Sequence, residues 1–136
     1  MADYRETVDY ILGIPLFAQK IGKENLSSLL CRLGNPEKAV PCIHVAGTNG
    51  KGSTCRALSQ MLMEAGYKVG LFTSPHLVSI NERIQINGVN ISDEDFVTAF
   101  ETVKEKFDVH PSFFEVMFAM AAVYFREKQC DVVVYE

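Results

Sequence analysis

Gly47-Thr48-Asn49-Gly50-Lys51-Gly52-Ser53 holds the residues of this chain best suited to chemistry. It follows the apolar run Cys42 to Ala46 and opens a segment of helical periodicity. Glycines at 47 and 50 let the backbone curl so that its N–H groups converge on an anion. The helix behind them offers the positive end of its dipole to the same point. Lys51 adds a full charge able to reach outer phosphates, and Ser53 a hydroxyl for a phosphate or a metal ion. These are the parts of a phosphate cradle. The order is that of a P-loop, but the spacing departs from GxxxxGK[ST]: Gly47 stands four residues before Lys51, and Gly52 separates Lys51 from Ser53. The competing reading is a strand-to-helix turn whose glycines serve geometry alone. Strand, turn, lysine and helix in that order favour phosphate binding.

Two further residues could complete such a site. Ser74 follows a strand-like run, and open parallel sheets bind ligands at the carboxyl ends of their strands. An ordinary Ser-Pro turn accounts for Ser74 equally well. Glu136 ends a β-branched run, as does the acid that holds Mg²⁺ between β- and γ-phosphates. A polar residue closing a strand is the alternative there. Glu115 reads as the partner of Ser112 in a capping box, with no substrate needed. His44 is expected in the core and His110 in a loop, and His76 is assigned no proton transfer.

The elements that must position these groups are legible in the periodicity. Tyr4, Val8, Ile11 and Leu12 fall on one helical face, with Gly13 as the stop. Leu26, Leu29, Leu30 and Leu33 form a second stripe, ended by Gly34-Asn35-Pro36. Cys42 to Ala46 reads as a short buried strand. Leu58, Met61, Leu62 and Ala65 make the apolar face of the next helix, ended by Gly66. Lys68 to Phe72 is the following strand, and strand, helix and strand form a right-handed βαβ unit with parallel strands. Asn87-Gly88 between Arg83–Ile86 and Val89–Ile91 marks a small hairpin. Ser92 and Asp95 start a helix carrying Phe96, Phe100, Val103 and Phe107. The helix from Val116 to Phe125 is apolar nearly all round and should be deeply buried. The run Asp131 to Glu136 reads as a central strand covered on both faces. The fold class is α/β: a P-loop-containing, mostly parallel sheet flanked by helices, with a small β-hairpin.

Composition narrows the function classes. A hydrophobic fraction of 48% excludes a disordered chain, and 136 residues suffice for one core or most of one. The net charge of −4, with no cluster of Lys or Arg, gives no footprint for nucleic acid. The apolar stretch Phe113 to Phe125 is broken by Glu115 and is too short to span a bilayer. The polar start Asp3-Tyr4-Arg5-Glu6 resembles no signal peptide. Cys31, Cys42, Cys55 and Cys130 form no C-x-x-C pair and read as buried free thiols of a reducing cytoplasm.

The glycine-rich loop resembles that of folylpolyglutamate synthases and dihydrofolate synthases, within the Mur ligase superfamily. Other blocks agree in order: Leu33-Gly34-Asn35-Pro36, Leu71-Phe72-Thr73-Ser74-Pro75-His76-Leu77, Asn81-Glu82-Arg83-Ile84 with Asn87-Gly88, and Phe113-Phe114-Glu115. The resemblance covers nearly the whole chain. It implies an ATP-dependent amide ligase that adds L-glutamate to dihydropteroate or to folates through an acyl phosphate, with ATP and Mg²⁺ as cofactors. It implies a cytoplasmic enzyme of small-molecule substrates, acting on neither nucleic acid nor membrane. Lys51 would be its catalytic cation, Gly47 to Ser53 its nucleotide loop, and Ser74 and Glu136 its metal ligands. Pro111 and Ser112 would lie near the pterin, as would the segment around Lys20-Ile21-Gly22. Residues 1–136 would be the N-terminal portion of the ATP-binding domain, with the rest of that domain and a C-terminal domain to follow. A magnesium-binding histidine and a carbamylated lysine would lie beyond residue 136. By itself this portion is expected to be inactive and to expose its last strand along an outer edge or face. A non-catalytic nucleotide-binding module and a Mur-type ligase of cell-wall precursors are the alternatives.

Overall fold

The computed structural model describes residues 3–14, 23–46, 50–74, 76, 78–107 and 111–136. Among them the elements run α1 (Tyr4–Leu12), α2 (Lys23–Arg32), β1 (Cys42–His44), α3 (Lys51–Glu64), β2 (Val69–Phe72), β3 (Ile84–Ile86), β4 (Val89–Asn90), α4 (Asp93–Lys104), α5 (Phe113–Glu127) and β5 (Val132–Tyr135). They divide into two compact units, Met1–Ala39 with Asp93–Tyr124, and Val40–Ser92 with Phe125–Glu136.

The first unit is helical. Asp3 caps α1, accepting from the Glu6 amide at 2.8 Å, while Glu6 Oε1 accepts from the Asp3 amide at 3.3 Å. Such a reciprocal box satisfies two helix-end donors that would otherwise lack partners. Tyr4 meets Phe96 edge-on with centroids 5.7 Å apart, and Tyr10 meets Phe100 at 5.5 Å, joining α1 to α4. The end of α2 is closed by Gly34 and Asn35, both in the left-handed region, with the Asn35 amide donating to the Leu30 carbonyl. The expected apolar stretch of α5 is buried from Val116 to Val123, apart from the half-buried Phe118.

The second unit is built on a five-stranded sheet in the order β1-β5-β2-β3-β4. Its core of β1, β5 and β2 is parallel, and the β3–β4 hairpin adds antiparallel to β2. The expected βαβ unit therefore exists, with one difference: β1 and β2 are not neighbours, because β5 lies between them. Asn87 and Gly88, both at positive φ, turn the hairpin, and Asn87 Oδ1 accepts from the Val69 amide at 2.8 Å.

This order corrects several expectations. The last strand is not an exposed edge; β1 and β2 flank it, and Val133 to Tyr135 are buried. Among the described residues β1 and β4 are the edge strands, and Cys42, Ile43 and His44 are all exposed rather than core. A short edge strand has a partner on one side only, so its apolar composition does not report burial. The face of α3 is also rotated from the expected one. Cys55 and Ser59 are buried, and Leu58, Leu62 and Met63 pack on Val69, Leu71 and Val134, while Met61 is 65% exposed and Ala65 lies at the surface. Of the four cysteines only Cys55 and Cys130 are buried, and burial pushes the Cys130 thiol up to about 11.

One close approach in this unit makes a testable demand. A Cβ at Gly70 would stand 2.7 Å from the Phe125 ring, which is 1% exposed and lies against β2. Gly70→Ala is expected to destabilise the protein by about 1–3 kcal/mol, the usual cost of overpacking a core. Denaturant midpoints of Gly70→Ala and of Gly70→Ala/Phe125→Leu would check this. The smaller side chain should recover part of the loss, and an unchanged midpoint in the single variant would refute the contact.

Candidate functional site

The carboxyl ends of the three parallel strands all lie on one side of the sheet, and each leads to a residue of interest. The chain leaving β1 reaches α3 at Lys51, β2 runs into Thr73-Ser74, and β5 ends at Glu136. Because β5 is central, Glu136 is placed between the other two.

Gly50 is the N-cap of α3, at φ 75° and ψ 9°, and no side chain caps the helix. A residue with a Cβ would be strained at this φ. The first amides of α3, at Lys51, Gly52 and Ser53, have no intrahelical acceptor and carry the positive end of the dipole. Lys51 is half-buried at this start and Ser53 is exposed. Gly47, Thr48 and Asn49 lie outside the described residues.

Glu136 is anchored from two sides. Its amide donates to the Phe72 carbonyl at 2.9 Å, continuing the β5–β2 ladder. Its Oε1 accepts from the Ser74 amide at 2.5 Å, with Ser74 Oγ 3.4 Å from the same oxygen. Its Oε2 lies 3.6 Å from where a Cβ of Gly52 would stand, so the carboxylate spans from the β2 loop to the start of α3. Ser74 and Glu136, expected separately as metal ligands, thus stand side by side. A carboxylate beside a hydroxyl, close to the uncapped start of a helix that opens with a lysine, suits a hard divalent cation bound to phosphate oxygens. Among the described residues no three His, Cys, Asp or Glu side chains cluster as a metal cage of their own. Mg²⁺ shared with phosphates needs none, since one or two protein oxygens suffice.

The sequence reading missed the cations around this carboxylate. Arg83 is half-buried; its Nε donates to His76 Nδ1 at 2.8 Å and its carbonyl accepts from the Thr73 amide at 3.0 Å. Burial pulls the guanidinium pKa down, and the charge of Glu136 opposes that. Burial, followed by Arg83, also lowers the His76 pKa, with Glu82 opposing, so this imidazole favours its neutral form. As Nδ1 is the acceptor, the proton of neutral His76 sits on Nε2. Arg83 stood in one of the sequence blocks, but nothing in its spacing signalled this contact. Burial, then Glu136, raises the Cys55 thiol pKa, while Arg56 and Lys51 lower it, so all three charges act on one spot beneath the start of α3.

Pro111 and Ser112 are in the first unit and buried. Ser112 and Glu115 form the expected cap of α5, with the Ser112 amide donating to Glu115 Oε1 at 2.8 Å. Lys20, Ile21, Gly22 and His110 lie outside the described residues.

No protein-family model matches the chain. Individual relatives do. The chain is 42% identical to the dihydrofolate synthase/folylpolyglutamate synthase of Bacillus subtilis, over 98% of its own length and 33% of that protein's. It matches the FPGS–AMPPCP–folate complex with a TM-score of 0.90 at 39% identity, and Escherichia coli FolC with DHPP and ADP with 0.91 at 35%. Those matches cover 98% and 99% of this chain, and 34% and 33% of theirs. The chain therefore spans about a third of the length of the proteins it matches. Sequence and fold agree along that whole span, and the chain belongs to the folylpolyglutamate synthase and dihydrofolate synthase family of the Mur ligase superfamily.

Proposed function

We propose that the protein is an ATP-dependent amide ligase that joins L-glutamate to dihydropteroate, to folates, or to both. The observation that carries this reading is the carboxylate of Glu136, held by the Ser74 amide against the uncapped start of α3. That is a place for a nucleotide's phosphates and their cation. The two matched complexes, one holding AMPPCP and folate and the other DHPP and ADP, support the choice of nucleotide and acceptor class.

A carboxylate is a poor electrophile, and its oxygen a poor leaving group. In the proposed reaction an acceptor carboxylate takes the γ-phosphoryl group of ATP. The amine of L-glutamate attacks the resulting acyl phosphate, and phosphate leaves. The first step brings negative charges together, so catalysis rests on positioning and charge stabilisation. Lys51 and the amides of α3 hold the phosphates, and Ser74 and Glu136 would hold Mg²⁺. That cation would supply positive charge to offset the repulsion between the phosphates and the acceptor carboxylate. Pro111 and Ser112 are assigned to the pterin side on resemblance to the family alone. We further propose that residues 1–136 by themselves form one side of the site and do not ligate, since two substrates must be held against ATP.

The test is glutamate ligation by the full-length protein, comparing dihydropteroate with tetrahydrofolate as acceptors. ATP-dependent addition to either supports the reading, and the ratio assigns the substrate. ATP binding with no ligation to either acceptor would leave a non-catalytic nucleotide-binding module.

A further inference from the structure

Gly52 is overlooked by two opposite charges. A Cβ built there would stand 3.2 Å from Arg56 Nη1 and 3.6 Å from Glu136 Oε2. Arg56 lies one turn along α3, and helix side chains lean toward the N-terminus, which brings this guanidinium back over the start of the helix. The guanidinium is not buried in the core; Arg56 is exposed. Its charge nonetheless reaches the same interior point as those of Lys51 and Glu136, at the Cys55 thiol. The end of α3 thus presents two cations of different kinds. Lys51 sits at the first helical position, beside the free amides. Arg56 sits beyond Gly52, on the side that faces the Glu136 carboxylate.

We propose that Arg56 is a second phosphate-contacting residue, whose guanidinium takes the terminal phosphate of the nucleotide and sets a preference for triphosphate over diphosphate. The inference rests on the phosphate-binding reading of this site. Glu136 would hold a cation that bridges β- and γ-phosphates, so the group beside Glu136 meets the outer end of the chain of phosphates. The planar fork of arginine suits a terminal phosphate, which has oxygens to spare for two parallel hydrogen bonds. A diphosphate has its inner phosphates in the cradle and offers this guanidinium less. Gly52 leaves the fork its place, since a methyl group there would displace Nη1 by a few tenths of an ångström.

Isothermal titration of the full-length protein with AMP-PCP and with ADP, in Mg²⁺ and without acceptor, separates the possibilities free of turnover. Arg56→Gln is expected to weaken AMP-PCP binding about ten- to a hundredfold, the scale of a charged hydrogen-bonded contact, while ADP binding stays within about threefold. Arg56→Lys should restore part of the loss, because it returns the charge but not the fork. Equal weakening of both nucleotides, or no change in either, would overturn the proposal. Lys51→Ala, measured alongside, isolates the underlying reading. If Lys51→Ala weakens both nucleotides and Arg56→Gln changes neither, this inference alone fails. If Lys51→Ala changes neither, the phosphate cradle itself is wrong and Arg56 falls with it.

Discussion

Lys51→Ala in the full-length protein is expected to cut ATP-dependent ligation at least about a hundredfold, with the fold retained. Removing one preorganised charge-stabilising donor from an active site costs on that order, and a lysine brings a full charge rather than a dipole. The fold should survive because Lys51 opens a helix whose packing lies further along, at Cys55, Leu58, Ser59 and Leu62. Alanine is also a good helix former at this position. The measurement is turnover at saturating substrates, with a thermal melt of the same sample. A folded variant with near-normal turnover would remove Lys51 from the mechanism. Rescue of turnover by Lys51→Arg would show that charge is required there, and failure of that rescue would show that a compact ammonium is required.

The second large effect concerns metal. Glu136→Ala should lower activity about a hundredfold and raise the Mg²⁺ concentration needed for half-maximal rate, while Ser74→Ala should cost about tenfold or less. A carboxylate supplies a full charge to a hard cation and a hydroxyl only a dipole. The geometry sharpens the difference. The donor that holds Glu136 at 2.5 Å is the Ser74 amide, which alanine keeps, whereas the hydroxyl stands 3.4 Å away. Ser74→Ala therefore removes one oxygen and leaves the carboxylate in place, while Glu136→Ala removes the ligand and the acceptor of that amide together. Glu136→Gln tests charge apart from shape and should resemble Glu136→Ala. Magnesium titrations of both alanine variants that superimpose on wild type would show that neither residue holds the metal.

Much of this protein is local and therefore readable along the chain. The hairpin follows from Asn87-Gly88, whose positive φ values only a few residue types accept. The end of α2 follows from Gly34-Asn35 for the same reason. Lys51 behind Gly50 is read from adjacency alone, and so is the cap that Ser112 shares with Glu115. Burial was harder. The apolar strand Cys42–His44 proved to be an exposed edge, and Met61 turned outward while Cys55 and Ser59 turned in. Hydrophobic pattern tells which residues tolerate burial. Which of them are buried depends on what packs against them, and that is not written locally.

The sequence by itself determined the kinds of chemical group available and the short turns that present them. It supplied a glycine-rich stretch before a helix, a lysine at its start, a serine after one strand and a glutamate after another. Only the tertiary structure decided that the serine and the glutamate meet beside the start of that helix. More than sixty residues separate the end of β2 from Glu136, and the natural reading of strand, helix and strand sets β1 beside β2. The parallel ladders on both sides of β5 place it between them instead. Backbone hydrogen bonds to two neighbours satisfy the polar groups of a strand made of three valines and a tyrosine, and such a strand is most stable at the centre of a sheet. That choice carries Glu136 to within hydrogen-bonding reach of Ser74 and sets its other oxygen over Gly52. It also brings Arg83 under the influence of that carboxylate and sets Arg56 on the same side of Gly52, which no spacing along the chain could reveal.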